Sequence, residues 1–296
     1  MSNREAVLKR WVNQPPDSPI IQHLRDAERE ATLDRLGTQS SVLDVASESS
    51  LTAALDADDV TRVDFSDEAS EYATELLGDD VDEYAVTDPE FPTLPFDDDR
   101  FEGAVSVGPL DWKFLDVGSL VDELHRVVGD DGLLVFTVPT PRSPYASDHR
   151  NRSYAPTDAL GLVSPDWWTR GADQLFQYPM PVHGLINSLP DSMQGPFVDV
   201  ADELSATLSD RDAWDWASYL VVGATPLDYR SYLDDGLDCL FRPTADRGFW
   251  DPDEGKVVRA FWYELDDGTP TTWTLDDRVK WRYAPFALMG AMRWRT

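Results

Sequence analysis

The sequence predicts an α/β protein: a doubly wound, mostly parallel sheet followed by a C-terminal accessory region that contains a β-hairpin. Three observations predict it. An apolar run ending at Asp44, a turn of small residues and a second apolar run ending at Asp64 read as a β-α-β start, with ligands expected beyond the strands' carboxyl ends. Strand-like runs then alternate with helical stripes as far as Val138. Beyond Pro226 the pattern changes to two short runs facing each other across Asp266-Asp267-Gly268.

Each element has a local reason. Residues 1–19 carry Trp11 and Pro15-Pro16-Asp17-Ser18-Pro19 and read as an N-terminal arm. Ser18-Pro19 opens a helix whose apolar residues Ile20, Ile21, Leu24, Ala27, Ala31 and Leu33 form a stripe, and Gly37 stops it. Strand Ser41 to Val45, a short helix from Ser49 to about Asp56 and strand Val60 to Asp64 follow. A helix from about Ser66 to Leu77 ends at Gly78, before strands Glu83 to Thr87 and Phe101 to Val107. A helix from about Val117 to Val128 leads through the turn Gly129-Asp130-Asp131-Gly132 into strand Leu133 to Val138. The stretch from Pro139 to about Ala217 is less regular, and Tyr219 to Ala224 reads as a returning strand. Residues 20–226 form the main domain and residues 227–296 the accessory region, with a hairpin from Val257–Tyr263 into Thr271–Thr274.

Composition narrows the function classes. Apolar residues make up 42% of the 296, with 11 tryptophans, which is enough for a core and excludes a disordered chain. The net charge of −31 is dispersed, and Lys9, Lys113, Lys256 and Lys280 are the only lysines. Such a surface suits a salt-rich cytoplasm, where screening reduces self-repulsion, and it argues against nucleic-acid binding, which needs a basic face. The single cysteine, Cys239, forms no intramolecular disulfide and no cysteine metal cluster. No run reaches the length of a membrane span, so the expected location is cytoplasmic.

Four segments occur in a telling order: Val42-Leu43-Asp44-Val45; Val63-Asp64-Phe65-Ser66; Asp88 followed by Leu94 to Val107; and Glu123 to Val128 with Gly132 to Phe136. Together, residues of about 24–225 resemble the class I S-adenosylmethionine-dependent methyltransferases. The resemblance implies a seven-stranded Rossmann-like sheet, S-adenosylmethionine as cofactor, and Asp44, Ala46, Glu48, Asp64, Asp88 and Ser106 as cofactor-binding positions. The first motif departs from the family's pattern, since Ala46, Glu48 and Ser50 stand where the family carries glycines. Glycine there permits positive φ and close backbone approach, whereas a glutamate fills that space and adds an anion. Two readings follow. Either Glu48 turns outward or bonds a ribose hydroxyl and the cofactor binds, or the fold persists as a non-catalytic binding or scaffold protein. Asp64 also reads as a helix cap, and Asp88 as a turn residue before Pro89.

The family's activity implies methyl transfer to a small-molecule or glycan-type acceptor. Methyl transfer from a sulfonium requires alignment and, for a hydroxyl acceptor, removal of a proton. Arg142, Arg150 and Arg152 follow the fifth strand and suit an anionic acceptor; salt bridges to the abundant acids are the other reading. His149 and His183 are the candidate bases, while His23 and His125 lie on helices. Trp168, with Trp167, Phe176 and Tyr178, lines an acceptor pocket or packs in the core. The four histidines make no metal motif. Residues 278–296 carry Arg278, Lys280, Arg282, Arg293 and Arg295 and no acid. This segment suits a peripheral contact with a membrane or protein, or packs back on the acidic chain.

Overall fold

A computed structural model describes residues 3–13, 18–146, 151–163, 166–211, 213–227, 250–251, 256–257, 261–266 and 269–275. The chain divides into two units, Met1–Leu227 and Asp228–Thr296. Residues 3–12, expected as an arm, form a helix, α1 (Asn3–Val12), which buries Leu8 and Val12 and packs on α4 (Asp67–Leu77). Between them in the chain come α2 (Pro19–Leu36), β1 (Gln39–Val45), α3 (Ser49–Thr52) and β2 (Ala57–Asp64). The Gly37 backbone takes φ +64° and its N–H closes α2 on the Leu33 carbonyl, as the stop signal predicts. Ser66 caps α4 by accepting a bond from the Ala69 N–H.

The first unit continues through β3 (Glu83–Val86), β4 (Phe101–Ser106), α5 (Val117–Val127), β5 (Val128–Pro139), α6 (Pro156–Gly161), β6 (Trp167–Leu175), α7 (Val182–Asn187), α8 (Gly195–Asp210) and β7 (Tyr219–Pro226). The seven strands lie in the order β3-β2-β1-β4-β5-β7-β6. The first five are parallel, β7 runs antiparallel to β5, and β6 runs antiparallel to β7. Alternation along the strands fills both faces. Leu43, Ala104, Leu134 and Phe136 join α1, α4 and α5 in one cluster, and Val42, Val105, Val135 and Val221 join α2 in the other.

Two expectations are corrected. The Gly129–Gly132 segment is not a turn but part of β5: Val128 pairs with Phe101 and Leu133 with Gly103, so the extra residues are absorbed as a bulge. The region from Pro139 to Ala217 holds strand β6 and the 16-residue helix α8, which the sequence left irregular. Among the described residues strand β6 pairs only with β7, and edge strands with mixed burial give a weak apolar signal.

Arg126 on α5 fixes the long β3–β4 connection. Its guanidinium donates to the Leu94 carbonyl at 2.8 Å, the Phe96 carbonyl at 2.7 Å, Asp98 at 2.9 Å and Glu123 at 2.8 Å. Arg126→Ala is expected to lower stability by about 2–3 kcal/mol, because charge-assisted bonds to carbonyls are lost together. Chemical denaturation followed by circular dichroism checks this, and an unchanged midpoint would refute it.

The second unit contains β8 (Trp250–Asp251) paired antiparallel with β9 (Lys256–Val257), and β10 (Phe261–Asp266) paired antiparallel with β11 (Thr269–Leu275). The expected hairpin is present as β10 and β11, and residues 258–260 lie outside the described residues.

Candidate functional site

Parallel pairing sets Asp44 of β1 directly beside Arg62 of β2. Because side chains alternate along a strand, Asp64 falls on the same face as Arg62. One guanidinium therefore lies between two carboxylates at the strands' carboxyl ends. Arg62 and Asp44 are fully buried, and Asp64 is 1% exposed. Each N–H of the guanidinium has an acceptor: Asp64 Oδ2 at 3.0 Å and Oδ1 at 2.9 Å, Asp44 Oδ2 at 2.7 Å, the Thr52 hydroxyl at 2.6 Å and the Ser47 carbonyl at 2.9 Å. The Thr52 hydroxyl donates onward to Asp44 at 2.6 Å. Burial opposes the charge on Arg62, yet the two aspartates hold it above its ordinary pKa; burial raises Asp64 against the pull of Arg62.

The turn after β1 is stitched to its neighbours. Ala46 takes φ +50°, a left-handed conformation that costs a non-glycine residue about 1 kcal/mol. Its N–H bonds the Val63 carbonyl at 2.8 Å. Ser47 bonds Asp44 through its N–H at 3.1 Å, and its hydroxyl accepts from the Val107 N–H at 3.0 Å. Ser106 is buried and donates to the Val45 carbonyl at 3.3 Å. Glu48 turns onto the first turn of α3, accepting from the Ser50 N–H at 3.2 Å and from the Ser50 hydroxyl.

Trp11 of α1 covers this turn. Its Nε1 donates to the Ala46 carbonyl at 3.1 Å, and its ring meets Trp112 edge-on at 5.9 Å. Phe65 and Phe114 extend the aromatic group around Trp112. The Cζ2 edge of the Trp11 ring, next to Nε1, lies so close to Gly108, at φ +101°, that a Cβ there would overlap it.

Beside these groups a groove of about 440 Å³ opens at the carboxyl ends of β2 and β3. Phe65, Ser66, Asp67, Glu68, Thr87, Asp88 and Glu5 of α1 are among its lining residues. Its size lies within the range of small-molecule sites. Four carboxylates on its walls favour a ligand that donates hydrogen bonds or carries positive charge, and disfavour phosphate.

These arrangements test whether S-adenosylmethionine fits. The size and carboxylate lining of the groove suit an adenosine, whose amino and hydroxyl groups donate. The adjoining cleft does not fit the rest of the cofactor as it stands, because Asp64 is 1% exposed against Arg62 and Trp11 covers the Ala46 carbonyl.

The acceptor-side residues separate. Arg142 donates to the Asp215 carbonyl and stacks 4.4 Å from the Trp216 ring centroid, whereas Arg152 bonds the Lys113 carbonyl at 3.1 Å. Trp168 is 55% exposed on β6, and buried Trp167 meets His125 edge-on. His183 is buried, with Nε2 3.2 Å from the Tyr145 hydroxyl, and burial lowers its pKa. His149, Arg150 and residues 278–296 lie outside the described residues. Among the described residues no group of three or more His, Cys, Asp or Glu could hold a metal, and no helix is long and apolar enough to cross a membrane.

Arg62 and Glu28 escaped the sequence reading. A lone Arg inside the strand Val60-Thr61-Arg62-Val63-Asp64, two positions before an acid, was the available signal for the first. Nothing local marks Glu28, whose carboxyl burial pushes up to about 7 while the Thr137 hydroxyl and Arg25 pull it down.

Residues 43–136 match the family described as methyltransferase domain. No curated protein matches the chain. Among solved structures, the methyltransferase bound to the Trm112 methyltransferase activator of Haloferax volcanii is similar at 15% identity and a TM-score of 0.51, over 74% of this chain and 97% of that one. The N-methyltransferase NodS of Bradyrhizobium japonicum WM9, solved with S-adenosyl-L-homocysteine, is similar at 15% identity and a TM-score of 0.50, over 76% of this chain and all (100%) of that one. With this sheet order and this match, residues 43–136 are similar to a methyltransferase domain and the first unit has the Rossmann-like methyltransferase fold.

Proposed function

We propose that the protein is an S-adenosylmethionine-dependent methyltransferase acting on a small-molecule acceptor, with the adenosine end of the cofactor taken by the groove beyond β2 and β3. The observation that carries this reading is that groove: it lies where ligands bind in doubly wound sheets, and its carboxylate lining suits adenosine's donors and the cofactor's positive charge. Asp88 and Thr87 would border the adenosine. When bound, the cofactor supplies an electrophilic methyl group; the chain's own part is to orient the acceptor and take its proton. His183, kept neutral by burial and bonded to Tyr145, is the proposed base. Structural similarity to NodS, an N-methyltransferase, supports a nitrogen acceptor.

A second reading has its own support. Because Arg62 satisfies both aspartates internally, the domain is complete without a ligand at Asp64, as a non-catalytic scaffold would be. Calorimetric titration of S-adenosylmethionine and S-adenosyl-L-homocysteine into the full chain, in multimolar potassium chloride, separates the two. Micromolar binding that Asp88→Ala weakens at least about tenfold, or about 1.4 kcal/mol, is the expected result. No heat from a chain shown folded by circular dichroism would favour the scaffold reading instead.

A further inference from the structure

We propose that Trp11 sets the cofactor affinity of this domain by internal competition: its indole occupies the cleft over the Ala46 turn and must leave before the cofactor can be seated there. This rests on the cofactor reading above. The indole makes a specific contact rather than covering the turn loosely. Its Nε1–H uses the Ala46 carbonyl, the backbone group at the centre of the first motif. Its ring reaches Gly108, just past the end of β4, where only a glycine leaves room for it. Trp112, itself 5% exposed, forms the wall it leans on. The indole therefore spans the gap between the ends of β1 and β4, the crevice in which this class of sheet places its ligands.

The rest of α1 does not depend on this contact. Leu8 and Val12 are 3% and 1% exposed within the same core cluster as Ala69, Ala73 and Leu77 of α4. Lys9 lies over the Tyr72 ring at 5.2 Å. The helix has its own seat on α4, so the half-buried indole can swing out while the helix stays. A tethered side chain in a ligand's place lowers apparent affinity by the fraction of molecules in which the place is open. With the indole seated in nine molecules of ten or more, removing it tightens binding at least about tenfold.

The experiment compares the binding of S-adenosyl-L-homocysteine to the full-length chain, Trp11→Ala and Trp11→Leu by calorimetry. Wild-type chain labelled with 5-fluorotryptophan is titrated in parallel, and its Trp11 fluorine resonance is assigned from the signal lost in Trp11→Leu. The expected result is at least tenfold tighter binding to Trp11→Ala, a smaller gain for the bulkier Trp11→Leu, and a Trp11 resonance that moves on ligand addition. Binding by Trp11→Ala alone would also support the proposal. Equal or weaker binding by both variants overturns it and leaves the cofactor reading intact, since the indole would then be a wall of the site. So does an unmoved Trp11 resonance in ligand-saturated wild type. No binding by any of the three folded chains removes the cofactor reading itself, and the competition with it.

Discussion

Arg62→Ala is expected to lower the unfolding free energy by about 3–5 kcal/mol, the largest effect of any single substitution at the site. The loss comes less from the attraction removed than from what is left behind. Asp44 and Asp64 would face each other in the interior with no cation, while the Ser47 carbonyl loses a donor and the Thr52 hydroxyl a partner. Truncating one member of a buried ion group is costly for this reason, whereas replacing the whole group with apolar residues of matching volume is often neutral. Arg62→Lys should recover only part of the loss, because one ammonium cannot reproduce the planar fork that meets both Asp64 oxygens. Guanidinium titrations of the three chains at constant salt test this. A midpoint for Arg62→Ala within error of wild type would show that water or a counter-ion replaces the guanidinium.

Glu28→Gln is expected to flatten the pH dependence of stability and to stabilise the protein above pH 7 by up to about 3 kcal/mol. The ordinary value for this carboxyl is 4.5, and burial between α2 and the sheet carries it to about 7 in the fold. Between those values the folded chain holds a proton that the unfolded chain has released. The favourable contribution is thus complete below pH 4.5, declines as pH rises, and is lost once pH passes about 7. His183 acts in the opposite direction: burial lowers its pKa, so its contribution is present above 6.5 and is lost as pH falls through the folded value. Both chains keep His183, so it cancels in the difference between them. Parallel stability profiles from pH 5 to 8 for the wild type and Glu28→Gln would show that Glu28 is ionised in the fold across that range.

The parallel core of the fold was legible because buried parallel strands write themselves as dense apolar runs. Ser41 to Val45, Val60 to Asp64 and Leu133 to Val138 each read as a strand, although the strands start at Gln39, Ala57 and Val128. Beyond Pro139 the signal fades. Strand β6 interleaves Arg170, Gly171 and Asp173 with apolar residues and, among the described residues, pairs on one side only, so neither periodicity dominates. At the site, strand ends placed Asp44 and Asp64 correctly, but their partner depended on register between two strands, which one sequence does not display. The turn after Asp44 was read as one that lacks the family's glycines. Ala46 adopts the left-handed backbone that a glycine would take more cheaply, and Glu48 finds a use as the cap of α3. Trp11 was visible, but a tryptophan ahead of a proline run carries no mark of the residues it will touch.

The fit between Trp11 and Gly108 ties together two positions that are far apart in the chain. Any homologous sequence with a side chain at the position of Gly108 has no room for an indole at that of Trp11. The reverse is weaker, because a glycine at positive φ can be kept for its turn alone. Across related sequences, tryptophan at the first position should therefore occur only with glycine at the second. That pairing would sort homologues built with a filled crevice from those built with an open one, before any of them is purified.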